Sequence, residues 1–269
     1  MTPRKTVVYH DPLKDDFART VFHAEGLPEN FRYIHDRRSW RAFATVLWCV
    51  ALPLVFIINY GFYGMRVKNR KALKKVKREG GGWFLYGNHS HGFPNATMPS
   101  LLAFPKRAYV LANPDALALP VLKTVTQMLG AFPVPFTVSE HRAFLRAMDK
   151  RLQEEGAFAV YPEAHIWPYY TGVRPFPDTS FAYPVRYQKP VIACSVTYRK
   201  RLLPFLPPAL TLHLSDPIYP DAEKPVGEAR KQLHRAVYDF LTEHARENEV
   251  EYYRYVQADD PTHSMEETT

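Results

Sequence analysis

The chain has 269 residues, enough for one large α/β domain with a substantial core. Hydrophobic residues make up 46% and charged residues 23%, which excludes a disordered chain; the two cysteines, Cys49 and Cys194, have no metal-type spacing and fit a reducing, cytoplasmic setting. The net charge is +8, but eight basic residues lie between Arg66 and Arg78 with no acid among them, so the rest of the chain is neutral and a broad nucleic-acid footprint is excluded.

The first marked segment is Ala42 to Met65, 24 residues without a charge. A straight helix of that length, at 1.5 Å per residue, exceeds the ~30 Å hydrocarbon thickness of a bilayer. Some forty polar or mixed residues precede it, which argues against a secretory signal peptide. Pro53 should kink or split the helix. Basic residues on both sides (Arg37, Arg38 and Arg41 before, the Arg66–Arg78 run after) fit a helix–break–helix hairpin dipping into one leaflet as well as a single crossing. The basic run keeps Met65, Ala72, Leu73 and Val76 at near-helical spacing, suiting a strip on anionic headgroups. Residues 1–79 are therefore expected to form a membrane-associated helical region.

After Gly80 to Gly82 the pattern alternates between strands and helices, and residues 80–257 read as one α/β domain. Strands are predicted over Trp83–Gly87, Arg107–Ala112, Ala157–Tyr161, Pro190–Tyr198 and Pro208–Leu214. Thr137 and Glu140 form a capping box that starts a helix with Phe144, Leu145, Met148 and Leu152 on one face, stopped by Gly156. A last helix spans Gly227 to Ala245 with Leu233, Val237, Phe240 and Leu241 along one side, and residues 258–269 read as a flexible tail. Alternating elements of this kind predict a largely parallel sheet flanked by helices, with ligands beyond the carboxyl ends of its strands. Two chemically rich segments, "GNHSHG" and "PEAH", each follow a predicted strand and are expected to meet at one edge of the sheet.

Three chemistries compete for His89, Ser90 and His91. A nucleophile elbow needs Gly-x-Ser-x-Gly; Asn88 stands at the first glycine position, so Ser90 is set aside. A metal-dependent hydrolase using His89 and His91 would need further ligands from His141, His165, His213 or distant aspartates, and no second paired motif supplies them. A general base needs one histidine with an orienting partner that fixes its tautomer.

The third chemistry coincides with a resemblance. Asn88-His89, placed after a strand and downstream of an apolar, basic-flanked segment, resembles the active-site block of the lysophospholipid acyltransferases, the glycerolipid acyltransferase family that includes lysophosphatidic acid acyltransferase. "VYPEAHIWPYY" (Val160 to Tyr170) resembles that family's phosphate-binding block, usually Phe-Pro-Glu-Gly-Thr-Arg. "RPFPDTSF" (Arg174 to Phe181) and "KPVIACSV" (Lys189 to Val196) resemble the segments that follow, in order over roughly residues 40 to 215. The resemblance implies transfer of a fatty acyl group from acyl-CoA or acyl carrier protein to the hydroxyl of a lysophospholipid at a membrane, with those molecules and membrane lipids as partners, no nucleic acid, no further cofactor and no metal. Oligomeric state is left open.

Carried over by position, the resemblance makes His89 the base. The family's acid falls at Pro94, or at Asn95 if the loop holds one extra residue. An amide there can orient an imidazole but cannot stabilise an imidazolium by charge; a helix N-cap is the other reading of Asn95. The arginine of the family's second block is missing near Gly130 to Phe136. In the third block Glu163 is kept, while Ala164, His165 and Ile166 replace Gly-Thr-Arg. His165 and Arg174 are the nearest substitutes for the lost phosphate contacts, an arginine fork suiting a phosphate.

Overall fold

The computed structural model describes residues 3–17, 26–27, 31–114, 120–203 and 205–258. The strands are β1 (Lys5–Tyr9), β2 (Arg66–Lys68), β3 (Trp83–Gly87), β4 (Ala108–Ala112), β5 (Ala131–Pro133), β6 (Ala157–Val160), β7 (Val191–Arg199), β8 (Ala209–Leu214) and β9 (Tyr253–Gln257). The helices are α1 (Arg38–Phe56), α2 (Arg70–Glu79), α3 (Gly92–Ala103), α4 (Pro120–Leu129), α5 (Val138–Gln153), α6 (Ala182–Tyr187) and α7 (Val226–Ala245). Seven strands form one sheet in the order β2-β8-β7-β3-β6-β4-β5. Every pair in it is parallel except β7 with β8, so the expected α/β layer is present. A separate parallel pair joins β1 to β9, from Lys5 opposite Tyr253 to Tyr9 opposite Gln257; neither strand stands out in the sequence, because both are short and only half buried.

Both faces of the sheet are covered, and the strands alternate accordingly. Phe84, Tyr86, Phe158 and Val160 face one side with Phe144, Met148 and Leu152 of α5 and Leu233, Val237 and Leu241 of α7. Trp83, Leu85, Ala157 and Ala159 face the other with Met98 and Leu102 of α3 and Leu73 and Val76 of α2. The capping box is formed as the sequence requires, the Glu140 amide donating to Thr137 Oγ1 at 3.3 Å and Glu140 Oε2 accepting from the Thr137 amide at 2.9 Å. Gly82 carries φ +76° into β3, where a Cβ would lie 2.7 Å from the Gly156 carbonyl; only glycine suits both constraints.

Two expectations about the N-terminal region change. The helix–break–helix hairpin is replaced by one continuous helix, with α1 running on into a wider π-helical stretch over Ile57–Phe62. Pro53 lacks only its own N–H, and the chain beyond it re-bonds in a wider register, the Tyr63 amide reaching the Ile58 carbonyl at 2.9 Å, rather than reversing. The apolar strip of the basic run also faces inward. Met65, Ala72, Leu73 and Val76 are buried in the core, because β2 joins the sheet edge and α2 packs beneath it, leaving Lys71, Lys74, Lys75 and Arg78 outward. Residues 66–79 thus share the core of the α/β layer, and residue 79 marks no break in packing. Of the expected tail, residues 259–269 lie outside the described residues.

Candidate active site

β3 and β6 are parallel neighbours in register from Trp83 opposite Ala157 to Tyr86 opposite Val160. Their carboxyl ends therefore bring the His89 and Glu163 segments side by side, as a switch-point geometry should. The His89 amide donates to Glu163 Oε2 at 3.3 Å, and the His89 carbonyl accepts from the Trp167 amide at 3.1 Å. Asn88 ties the loop to β7, its Oδ1 accepting from the Val196 amide at 2.8 Å and its Nδ2 donating to the Val196 carbonyl at 3.1 Å. The Tyr198 hydroxyl donates to the Ser90 carbonyl at 2.8 Å. Ser90 is thus buried structure, with a hydroxyl 2.9 Å from Tyr198.

The His89 ring stacks on Tyr161, with centroids 4.6 Å apart and planes 10° apart. Burial, with Arg174 and then His165 adding to it, pushes its pKa down to about 3, so the imidazole is neutral at physiological pH. Neutrality is what a base requires.

Asn95 is not the helix cap; His91 holds that position and Asn95 lies in the first turn of α3, completely buried. Its Nδ2 is 3.0 Å from His89 Nδ1 and 3.0 Å from the Asn88 carbonyl oxygen. A carbonyl only accepts, so the amide presents its NH2 there, and Nδ1 receives the second N–H through its lone pair. In this arrangement neutral His89 carries its proton on Nε2, and Asn95 Oδ1 is left buried without a hydrogen-bond partner among the described residues. A carboxylate at this position would accept from Nδ1–H instead and leave the Nε2 lone pair free. Turning the amide over achieves the same, at the cost of facing Oδ1 against the Asn88 carbonyl.

Glu163 and Arg174 form a buried ion pair at 3.1 Å, with side chains 2% and 1% exposed. Burial raises the Glu163 carboxyl and the guanidinium opposes that rise. Arg174 Nη2 also donates to the His165 carbonyl, its Nη1 to the Pro12 carbonyl at 3.4 Å, and its guanidinium lies over the Trp167 ring. Arg174 is therefore spent inside the protein, holding the loop that carries Glu163 and His165; a direct phosphate contact, as the sequence pattern led us to expect, is not what its geometry offers. Ala164, at the position where the acyltransferase pattern has glycine, sits at φ +64°, a left-handed conformation that favours glycine.

A cavity of about 1090 Å³ opens beside these strand ends. His89, Asn95 and Tyr161 form part of its wall, His165, His141 and Arg186 contribute polar groups, and Val110, Leu111, Val134, Phe136, Leu145 and Ile166 make much of the rest apolar. His165 Nδ1 lies 3.5 Å from Asp16 Oδ2. His91 does not join His89. Its ring is enclosed by Tyr63 and Tyr169, at 4.8 and 5.1 Å, and neither nitrogen has a hydrogen-bond partner among the described residues. The paired-histidine metal geometry is therefore not formed by these residues. Sequence reasoning missed Tyr161, Tyr198 and Arg186; Tyr161 sits inside the conspicuous "VYPEAH" block, whereas Tyr198 and Arg186 acquire their surroundings only through folding.

No family model matches the sequence, and no curated protein matches it. Among solved structures, the crystal structure of the 1-acyl-sn-glycerophosphate (LPA) acyltransferase PlsC from Thermotoga maritima superimposes with a TM-score of 0.52 at 18% identity, covering 78% of this chain and 83% of that one. The α/β layer described above is thus a PlsC-like fold.

Proposed function

We propose that the protein is a glycerolipid O-acyltransferase that moves a fatty acyl group from acyl-CoA or acyl carrier protein to the hydroxyl of a lysophospholipid such as 1-acylglycerol-3-phosphate, at the cytoplasmic face of a membrane. The observation that carries this reading is a neutral imidazole, His89, on the wall of a largely apolar cavity of about 1090 Å³ at the strand ends of a PlsC-like fold. The acceptor oxygen attacks the thioester carbonyl and the new C–O bond forms as the C–S bond breaks; with the Asn95 amide turned over, so that His89 carries its hydrogen on Nδ1, the hydroxyl proton passes to the free Nε2 lone pair and on to the leaving thiolate. The apolar wall takes the acyl chain. Arg186 and His165, on the same wall, are the donors for an acceptor phosphate.

The substrate's membrane is reached through α1. Phe43, Val46, Val50, Leu54 and Ile57 are exposed along one side of the helix. The opposite side is tied to the domain near both ends: Arg107 donates to the Ala44 carbonyl at 2.7 Å, and Asn59 Nδ2 to Thr97 Oγ1 at 3.0 Å. Those ties are about 22 Å apart along the axis at 1.5 Å per residue, so the helix lies against the domain for most of its length. Such a helix suits the plane of the interface, apolar stripe down, with the outward lysines of α2 meeting anionic headgroups.

The test is an acyl-transfer assay over several lysolipids with both donors. We expect transfer to one of them, and His89→Ala to lower kcat by about 10²- to 10⁴-fold. Unchanged turnover in His89→Ala would sink the proposal. The orphaned Asn95 Oδ1 favours one second reading, a family relative that binds lipid at the bilayer with little or no turnover. That reading requires no transfer from any donor.

A further inference from the structure

Outside the residues that line the cavity, three side chains converge where the end of α7 meets β8. His213 on β8 is buried, with Nε2 2.9 Å from Thr197 Oγ1 and Nδ1 3.4 Å from Glu247 Oε1. His244, in the last turn of α7, has Nδ1 3.0 Å from the Phe240 carbonyl and Nε2 3.9 Å from the same Glu247 oxygen. A carbonyl only accepts, so His244 Nδ1 carries hydrogen and, in the neutral ring, Nε2 presents a lone pair to a carboxylate oxygen. His213 can donate from Nε2 to the threonine hydroxyl in the same way, turning the Nδ1 lone pair inward. Lys68 Nζ takes the other carboxylate oxygen, Oε2, at 2.7 Å and leaves Oε1 facing the rings.

We propose that His213, His244 and Glu247 form a zinc-binding site that clamps the end of α7 to the antiparallel β7–β8 pair of the sheet. The three ligand atoms lie within 4.8 Å of one another. Bonds of about 2.0–2.2 Å in a tetrahedron give edges of about 3.3–3.6 Å, which the His213–Glu247 pair, at 3.4 Å, already has. The remaining closure falls to Glu247 and His244, the more exposed members of the set. Two imidazoles and one carboxylate suit zinc or a neighbouring transition metal and disfavour magnesium and calcium. Thr197 and the Phe240 carbonyl supply the outer hydrogen bonds that fix both tautomers. Residue 248 links the site onward: Asn248 Oδ1 accepts from the Tyr198 amide at 2.8 Å, and Tyr198 holds the loop that carries His89.

The experiment titrates the chelator-stripped full-length protein with Zn²⁺ against a chromophoric competitor, and follows melting temperature in parallel. One equivalent is expected, with a zinc-dependent rise in melting temperature. His244→Gln, at a part-buried position outside the core clusters, and Glu247→Gln, at an exposed one, should each weaken binding at least tenfold and abolish the rise; Thr197→Val should weaken it about tenfold or more through the lost outer contact. His213→Gln, at a buried position, is the secondary variant. Absence of a stoichiometric site in the wild type overturns the proposal. So does zinc binding that is equal in the wild type, His244→Gln and Glu247→Gln.

Discussion

The strand ends that carry His89 and the apolar helix α1 satisfy their residues by opposite routes. At the strand ends, polar groups are withdrawn from water and partnered inside: Asn88 on β7, Glu163 on Arg174, Tyr198 on Ser90. Along α1, apolar groups are left facing out, Val50 69% and Leu54 58% exposed, with no surface among the described residues to cover them. A buried ion pair that loses one member leaves an uncompensated charge, whereas an exposed leucine contributes little to folding in water. The contrast is between a region whose polar groups are buried and partnered inside, apart from Asn95 Oδ1, the His91 ring and Arg174 Nε, and one whose apolar groups stay exposed.

The largest effect should come from breaking the buried pair. Arg174→Met leaves Glu163 without its cation and should cost about 3–5 kcal/mol, measured by urea denaturation; a loss below 1 kcal/mol would show that the pair does not hold this loop. Next is Asn95→Asp. A carboxylate selects the Nδ1–H tautomer and supports an imidazolium, so kcat should rise on the order of 10- to 10³-fold, bounded by the ~10⁴ known for the reverse change in a protease triad. A drop would indicate that the Asn88 carbonyl repels the new charge.

Acid should act on the strand ends and spare α1. The folded protein holds His89 near pKa 3 and His91 near 4, both lowered from 6.5 chiefly by burial. The unfolded chain therefore binds more protons below pH 6.5, and the stability of these groups is complete above that pH. It falls as pH drops toward 4, by up to about 1.4 kcal/mol per pH unit for each histidine. Denaturation at pH 7 and pH 5 checks the sign. The smallest effect on folding is expected on α1: Val50→Glu with Leu54→Glu should change stability in water by less than about 0.5 kcal/mol per site, yet abolish sedimentation with anionic vesicles. Retained binding would direct attention to the basic face of α2 alone.

Much of the layer was legible because its signals are local. The capping box at Thr137 and the apolar strands predicted from Trp83, Pro190 and Pro208 are each specified by a few adjacent residues, and their boundaries agree with the structure to within one residue. The glycine stop does not agree: the helix ends at Gln153, and Glu155, at φ +62°, takes the left-handed position in place of Gly156. The apolar strip of α2 was assigned to the wrong partner because periodicity reports that a face is buried and not what buries it. Arg174 was misread for a related reason: an arginine eleven residues after Glu163 has the chemistry of a phosphate ligand until its neighbours are known.

The sequence by itself determined the alternation of strands and helices, the apolar helix with its basic companion, and the histidine that follows β3, since each depends on composition and short-range spacing. Only the tertiary structure decided which nitrogen of His89 faces Asn95, that Arg174 lies inside the protein and that His213 meets His244 and Glu247. Those outcomes depend on the order of strands in the sheet, which brings together groups far apart in the chain and leaves others, such as His89 and His91, adjacent in sequence but facing different surroundings.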